Sequence, residues 1–128
     1  MPRLIALCAA SAAAFLAGAA QAAPMDQAFG NTILSTYPDG RTGELWLHPD
    51  GSYTAEGRKG DPSSGKWSMK GDKLCLKQLK PSNSIISFCK EAQADQLKSG
   101  YTTKAVSGET IQVKLVPGRA KGHQGPGK

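Results

Sequence analysis

The sequence predicts an all-β protein, an antiparallel meander of about eight short strands that forms a small up-and-down β-barrel. Apolar and polar residues alternate from Asn31 to Val116, and turn-forming residues interrupt this alternation roughly every 8–12 positions. The chain of 128 residues leaves room for one small domain. Because an open sheet would expose two edges and an apolar face, the alternative to the barrel is a two-sheet sandwich.

The first 22 residues have the pattern of a signal peptide. Arg3 precedes an apolar stretch over residues 4–20, and Ala20-Gln21-Ala22 offers small residues where signal peptidase cleaves. Cleavage after Ala22 would leave an N-terminal extension, residues 23–30, before the barrel domain, residues 31–116. We therefore expect a periplasmic or secreted protein that has no transmembrane segment after cleavage.

The first strands are separated by Pro-Asp-Gly, which occurs at residues 38–40 and 49–51. Proline fixes the first turn dihedral, aspartate bonds forward to the backbone and glycine accepts a positive φ, so each suits a three-residue hairpin loop. The predicted cross-strand pairs are Ile33–Leu45 around the first loop, and Leu47–Tyr53, Leu45–Ala55 and Trp46–Thr54 around the second.

The middle strands carry two cysteines, Cys75 and Cys89, which would form a disulfide in an exported chain. A two-residue loop at Gly71-Asp72 and a register with Cys75 opposite Cys89 place the same residues on the apolar face. The pairs that these two registers predict are Met69–Leu74, Trp67–Leu76, Ser68–Cys75, Lys66–Lys77, Lys70–Lys73, Leu76–Phe88 and Leu79–Ile85.

The last hairpin is predicted with Ser107-Gly108-Glu109 as its loop. The pairs that follow are Ala105–Ile111, Thr103–Val113 and Tyr101–Leu115. Residues 91–98 lack alternation and are rich in helix formers, so they form either a single helical turn or a polar crossover. Residues 117–128 contain four glycines and two prolines and predict a disordered basic tail.

The middle of the chain resembles a known group of proteins. Asp50-Gly51-Ser52-Tyr53-Thr54, Ser64-Gly65-Lys66-Trp67, Gly71-Asp72-Lys73-Leu74-Cys75 and Phe88-Cys89 are similar to segments of small exported bacterial lipocalin-like (calycin-type) proteins of unknown function, which have one disulfide. The resemblance covers about residues 45 to 89. It implies a β-barrel and assigns no functional residue.

The residues that support catalysis are sparse. His48 is the one histidine of the predicted domain and precedes a turn proline, and the carboxylates stand singly at turns, where they are explained as turn formers. Neither a nucleophile motif nor a set of metal ligands accompanies them. We therefore predict that the protein is not an enzyme and has no catalytic residue, no metal site and no cofactor.

A candidate binding surface is predicted on loops and on the face opposite the apolar one. Trp46 lies on that face and is either an exposed contact site or covered by the N-terminal segment around Phe29. Like-charged lysines would stand opposite each other there. The candidate residues are Trp46, His48, Arg58, Lys59, Lys66, Lys70, Lys73 and Lys77.

The net charge of +6, from 16 basic and 10 acidic residues, is unevenly placed. Arg3 leaves with the signal peptide, and Arg119, Lys121 and Lys128 lie in the tail, so the domain itself is nearly neutral. Because aromatic residues make up only 6% of the chain and no binding motif is present, nucleic acid is excluded as an expected partner.

These observations predict a non-enzymatic periplasmic or secreted binding module for a protein partner or a small ligand, acting as a monomer. The alternative is an envelope-associated structural or stress protein. It would be held on anionic material of the cell envelope by the lysines and the basic tail.

Overall fold

The computed structural model describes residues 25–83 and 86–119 and confirms the all-β fold. Eight antiparallel strands form one curled sheet, a half-barrel, in the order β6-β5-β4-β3-β2-β1-β8-β7. The strands are β1 (Thr32–Thr36), β2 (Thr42–Leu47), β3 (Ser52–Glu56), β4 (Pro62–Lys70), β5 (Lys73–Lys80), β6 (Ser87–Glu91), β7 (Tyr101–Lys104) and β8 (Thr110–Val116).

Two short 3₁₀ helices, Met25–Ala28 and Ala94–Gln96, accompany the sheet. The second lies within the segment for which the sequence left a helical turn or a polar crossover open. No helix in the described ranges is long and apolar enough to cross a membrane. The predicted signal peptide, residue 85 of the predicted pair Leu79–Ile85, and the tail beyond Arg119 lie outside the described residues.

The connections between strands alternate between the two ends of the sheet. The loops β1–β2, β3–β4, β5–β6 and β7–β8 lie at one end, here called the upper end. The loops β2–β3 and β4–β5, the connection from β6 to β7, and the segment that enters β1 lie at the lower end. The two ends differ: connecting segments cover the lower end, whereas side chains of the loops meet at the upper end.

Four hairpin loops share one backbone pattern, over residues 38–40, 49–51, 58–60 and 106–108. In each, the amide of the residue before the loop donates a hydrogen bond to the carbonyl of the residue after it, and a glycine ends the loop. Gly51 and Gly108 have φ angles of 91° and 99°, a conformation that glycine adopts without the steric cost of a Cβ. The structure therefore confirms both Pro-Asp-Gly hairpins.

The predicted loop of the last hairpin is wrong by one residue at each end. Because Gly108 takes the final loop position and not the central one, the loop spans 106–108 and Tyr101 stands opposite Val113 instead of Leu115. Thr103 correspondingly pairs with Ile111. A displacement of two residues keeps the parity of the strand, so every side chain remains on its predicted face.

The other testable registers are confirmed. The structure pairs Ile33 with Leu45, Leu47 with Tyr53, Leu45 with Ala55, Trp46 with Thr54, Met69 with Leu74, Trp67 with Leu76, Ser68 with Cys75, Lys66 with Lys77, Lys70 with Lys73, and Leu76 with Phe88. Cys75 stands opposite Cys89 and forms the predicted disulfide, which links β5 to β6 on the outer face.

The apolar core lies on the concave face of the sheet and is closed at the lower end. Leu47 and Leu115 are buried there beneath Met25 and Ala28 of the first 3₁₀ helix and beneath Leu97. Two hydrogen bonds fix this closure, from Gln27 Nε2 to the carbonyl of Ala94 and from the Leu115 amide to the carbonyl of Leu97. The lower end is thus sealed by connecting segments and not by strand pairing.

Gly65 marks a β-bulge where β4 shifts its register against β5. A Cβ at this position would lie only 1.9 Å from the carbonyl oxygen of Lys77. Because that oxygen belongs to the backbone of the neighbouring strand, the strand itself would have to move. The close approach of the two backbones therefore requires glycine.

We expect Gly65→Ala to lower the free energy of unfolding by about 2–3 kcal/mol, because the added methyl group forces β4 and β5 apart. The matched control is Gly57→Ala, whose Cβ would meet its nearest atom at 3.9 Å and whose stability stays within about 1 kcal/mol of the wild type. Urea unfolding measures both variants. Equal stability of the two would contradict the described bulge.

Candidate functional site

A cavity of about 480 Å³ lies on the concave face of the half-barrel, above the sealed lower end. The inward-pointing positions of six strands line it, because alternate residues of a strand share a face. Its lining residues include Ile33, Leu45, Leu74, Leu76, Phe88, Tyr101, Thr103, Ile111 and Val113. Most of the wall is therefore hydrocarbon.

The cavity follows the seam between β6 and β7, the two edges of the sheet. Phe88 and Lys90 reach it from β6, and Tyr101 and Thr103 reach it from β7. Across this seam the ammonium group of Lys90 donates a hydrogen bond to the backbone carbonyl of Lys104. One side chain thus bridges two strand edges that are not paired with each other.

Polar groups are distributed along the seam and at the upper end of the cavity. Ser35, Tyr37 and Ser107 contribute hydroxyl groups near the upper end, and Lys90 and Glu91 contribute charges from β6. Burial raises the pKa of the Tyr37 phenol and, against a lowering hydrogen bond with the backbone of Gln93, that of Tyr101. Both phenols are therefore neutral hydrogen-bonding groups at physiological pH.

A charged clamp crosses the upper end beside the cavity. Arg58, in the β3–β4 loop, places Nη2 2.8 Å from Oε2 of Glu109, and its guanidinium lies 4.5 Å from the centre of the Tyr37 ring. Ser107 donates to the other oxygen of Glu109 at 2.7 Å. Three segments that are distant in the sequence are thus held together at this end.

The clamp shifts the pKa of both partners in the direction that favours the charged form. The hydrogen bond from Ser107, followed by that from Arg58, holds the pKa of Glu109 below its usual value. The hydrogen bond to Glu109 raises the pKa of Arg58 further. Both groups are therefore charged at neutral pH, and Arg58, a predicted binding residue, is engaged within the molecule.

Trp46 is buried, with 4% of its surface exposed, on the face opposite the cavity. Its Nε1 donates to Thr32 Oγ1 at 2.8 Å, and the guanidinium of Arg119 lies 3.8 Å from the centre of the indole. Phe29, which the sequence offered as a residue that covers Trp46, instead packs against Trp67, with 5.9 Å between the two ring centres. Trp46 is therefore covered by Arg119, which follows β8, and not by the N-terminal segment around Phe29.

The described start of the tail is held against the sheet. The Gly118 amide donates to Asn31 Oδ1 at 2.9 Å, and the Gly118 carbonyl accepts a hydrogen bond from the Thr32 hydroxyl at 2.7 Å. These two bonds place Arg119 beside Trp46.

The remaining predicted residues do not line the cavity. His48 precedes the β2–β3 loop at the lower end, where its Nε2 lies 3.3 Å from Thr54 Oγ1, and Lys59 is exposed in the β3–β4 loop. The lysines of β4 and β5 form the pairs Lys66–Lys77 and Lys70–Lys73 on the outer face, and all four are exposed. The structure thus separates the lysine surface from the cavity.

The cavity itself was not assigned from the sequence. Alternation identified the inward-pointing residues, but not which of them surround open space, because that depends on how closely β6 approaches β7. Among the described residues, no group of three or more His, Cys, Asp or Glu side chains could hold a metal ion.

No family model matches the chain, and no curated protein or solved structure matches it. The lipocalin-like resemblance of residues 45 to 89 therefore stays a prediction.

We expect Glu109→Gln to destabilise the protein more at about pH 7 than at about pH 3. A carboxylate whose pKa is lowered by folding stabilises the folded state above its unfolded pKa, and this contribution is lost as the pH falls through the folded pKa. Urea unfolding of wild type and variant at both pH values gives the difference. A difference that is the same at both pH values would contradict the clamp.

Proposed function

We propose that the protein is a non-enzymatic binding module that takes a small, mainly apolar ligand in the cavity on its concave face. The observation that carries this proposal is the cavity of about 480 Å³ with hydrocarbon walls. Its volume falls within the range of roughly 300–1,000 Å³ that is usual for small-molecule sites. Transfer of apolar ligand surface from water into such a cavity is favourable without any further contact.

The polar groups on the wall favour a ligand with one polar end. Ser35, Tyr37 and Ser107 lie towards the upper end, and Lys90 lies at the seam. A hydroxyl or carbonyl group of the ligand can hydrogen-bond to these side chains while the rest contacts Leu45, Leu76 and Val113. A few placed polar groups in an apolar pocket are what usually orient a ligand.

Binding without catalysis is the form of the proposal that the geometry supports. Within residues 25–83 and 86–119 the sole histidine is His48, which lies at the lower end and is not part of the cavity wall. The phenols of Tyr37 and Tyr101 have raised pKa values, which disfavours them as bases at neutral pH.

The Cys75–Cys89 disulfide supports the proposed location, the periplasm or the extracellular space. Disulfides persist in oxidising compartments and are rare where thiols are kept reduced. A binding module of this kind would meet its ligand outside the cytoplasm.

The experiment that tests the proposal compares two neighbouring threonines of β7. Thr103 lines the cavity, whereas Thr102 is exposed on the outer face. We expect Thr103→Trp to fill part of the cavity and to weaken the binding of the apolar fluorophore N-phenyl-1-naphthylamine by about tenfold. Thr102→Trp adds the same side chain outside the cavity and should bind the fluorophore as the wild type does.

Fluorescence titration measures the affinity, and circular dichroism checks that both variants retain the fold. If folded Thr103→Trp bound the fluorophore as tightly as Thr102→Trp, the cavity would not be the site. If the wild type failed to bind apolar fluorophores at all, the proposed function would be withdrawn.

A second candidate function is attachment to an anionic surface, and the outer face of β4 and β5 favours it. Lys66 faces Lys77 and Lys70 faces Lys73, and like charges in direct cross-strand pairs repel each other. An anionic partner would relieve this repulsion. Each lysine close to an anionic membrane contributes about 1 kcal/mol, so four are enough for reversible attachment.

We expect the wild-type protein to sediment with phosphatidylglycerol vesicles at low salt and to be released at about 0.5 M salt, because salt screens surface charges. Replacement of Lys66, Lys70, Lys73 and Lys77 by glutamine should abolish sedimentation. Replacement of the exposed Lys98 and Lys114 by glutamine is the control and should leave most of the protein bound. Sedimentation that is indifferent to salt would refute this candidate.

A further inference from the structure

The outer face of the sheet contains an aromatic surface that already holds a cation. The indole of Trp46 carries the guanidinium of Arg119 at 3.8 Å from the ring centre, well inside the distance of about 6 Å for cation–π attraction. Arginine is the side chain best suited to such stacking, because its guanidinium is planar and weakly hydrated.

The same two residues line a second cavity, of about 800 Å³, on the outer face. It follows a row of directly paired positions across the sheet, from Trp46 on β2 through Thr54 on β3 and Ser64 on β4 to Lys80 on β5. The carboxylates of Glu56 and Asp61 also line it. This cavity is separate from the one on the concave face, with which it shares no lining residue.

Both acidic and basic side chains line this outer cavity. Glu56 lies two residues beyond Thr54 on β3, and Asp61 directly precedes β4, so two carboxylates belong to the wall of the cavity. Lys80 lies on β5, at the far end of the row from Trp46, so Arg119 is the basic lining residue nearest the indole.

We propose that this outer cavity is a binding site for a ligand with a guanidinium group, and that Arg119 occupies it as an intramolecular stand-in. The guanidinium of the ligand would stack on Trp46 in place of Arg119, in a cavity whose wall also contains the carboxylates of Glu56 and Asp61. The hydroxyls of Thr54 and Ser64 would contact the remainder of the ligand.

Occupation by the chain's own arginine has a measurable consequence. A tethered group competes at an effective concentration in the millimolar range, so it lowers the apparent affinity for a free ligand of the same chemistry. Removal of the arginine must therefore strengthen binding at this site. A merely structural role of Arg119 predicts no such gain.

The test uses the two indole N–H signals in a proton–nitrogen NMR spectrum of the full chain. Trp46 Nε1 donates to Thr32, whereas Trp67 Nε1 donates to the carbonyl of His48 at the lower end, so Trp67 is an internal control. N-acetylarginine amide should shift the Trp46 signal and leave that of Trp67 in place. N-acetylcitrulline amide, the neutral isostere, should shift neither signal.

The variants test the roles of individual residues. Arg119→Gln should bind N-acetylarginine amide at least about threefold more tightly, and Glu56→Gln in that background should bind it less tightly, since one carboxylate is lost. Arg41→Gln removes an arginine that pairs with Asp39 and lines neither cavity, and it should leave the affinity unchanged. Equal shifts with citrulline amide, or no gain in Arg119→Gln, would overturn the proposal.

Two sources of the guanidinium are distinguished by a further titration. A ten-residue peptide of Gly and Ser with one central arginine is compared with N-acetylarginine amide on Arg119→Gln. Tighter binding of the peptide identifies an arginine of a protein partner as the ligand, and equal binding identifies a free small cation. Failure of both to shift the Trp46 signal overturns the site, while fluorophore binding on the concave face would remain, so the two proposals fail independently.

Discussion

The strand register is the constraint on which the rest of the structure depends. Successive side chains of a strand point to opposite faces, so a slip of one residue would move every apolar side chain to the outer face. Four hairpin loops of the same backbone pattern fix the register of the strand pairs that they join. The disulfide between Cys75 and Cys89 fixes the register of β5 against β6. The concave apolar face and the charged outer face both follow from this strand register.

The place where the sheet remains open also has a structural cause. Each hairpin brings neighbouring strands together through a short turn, and β1 pairs with β8. Seven of the eight strand pairs that a closed eight-stranded barrel would need are therefore formed. Between β6 and β7 the chain instead passes beneath the lower end, where Ala92, Ala94 and Leu97 are buried in the core. These residues close the bottom of the half-barrel, but they leave β6 and β7 apart above it. The cavity occupies that gap.

The sequence was sufficient for those features that short segments determine. Pro-Asp-Gly and Gly-Asp are local turn signals, and the alternation on either side of them decides the faces, so the registers of β1–β2, β2–β3 and β4–β5 could be predicted pair by pair. The cysteine pair gave the register of β5–β6, whereas the register of β3–β4 was not predicted. The last hairpin lacked proline and aspartate, and its glycine could be placed at two positions of a loop. The error was one of loop placement, and it left the faces correct.

The sites could not be predicted in the same way, because they join residues that are far apart in the chain. Arg58 and Glu109 are 51 positions apart, and each looks like an ordinary turn residue in its own segment. The set of residues that line the cavity depends on the curvature of the whole eight-stranded sheet. That curvature cannot be predicted from the sequence of any one pair of neighbouring strands. Trp46 was correctly placed on the outer face, but its contact with Arg119 depends on the path of the chain after β8.

In the proposed function, apolar molecules enter the concave face of the half-barrel. Methyl NMR with an uncharged apolar nitroxide tests it directly, because the radical broadens the signals of nearby protons. We expect strong broadening of the methyl signals of Ile33, Leu76 and Val113, which line the cavity, and little broadening of those of Leu34, which lies on the outer face of β1. Equal broadening of Leu34 and Val113 would contradict it.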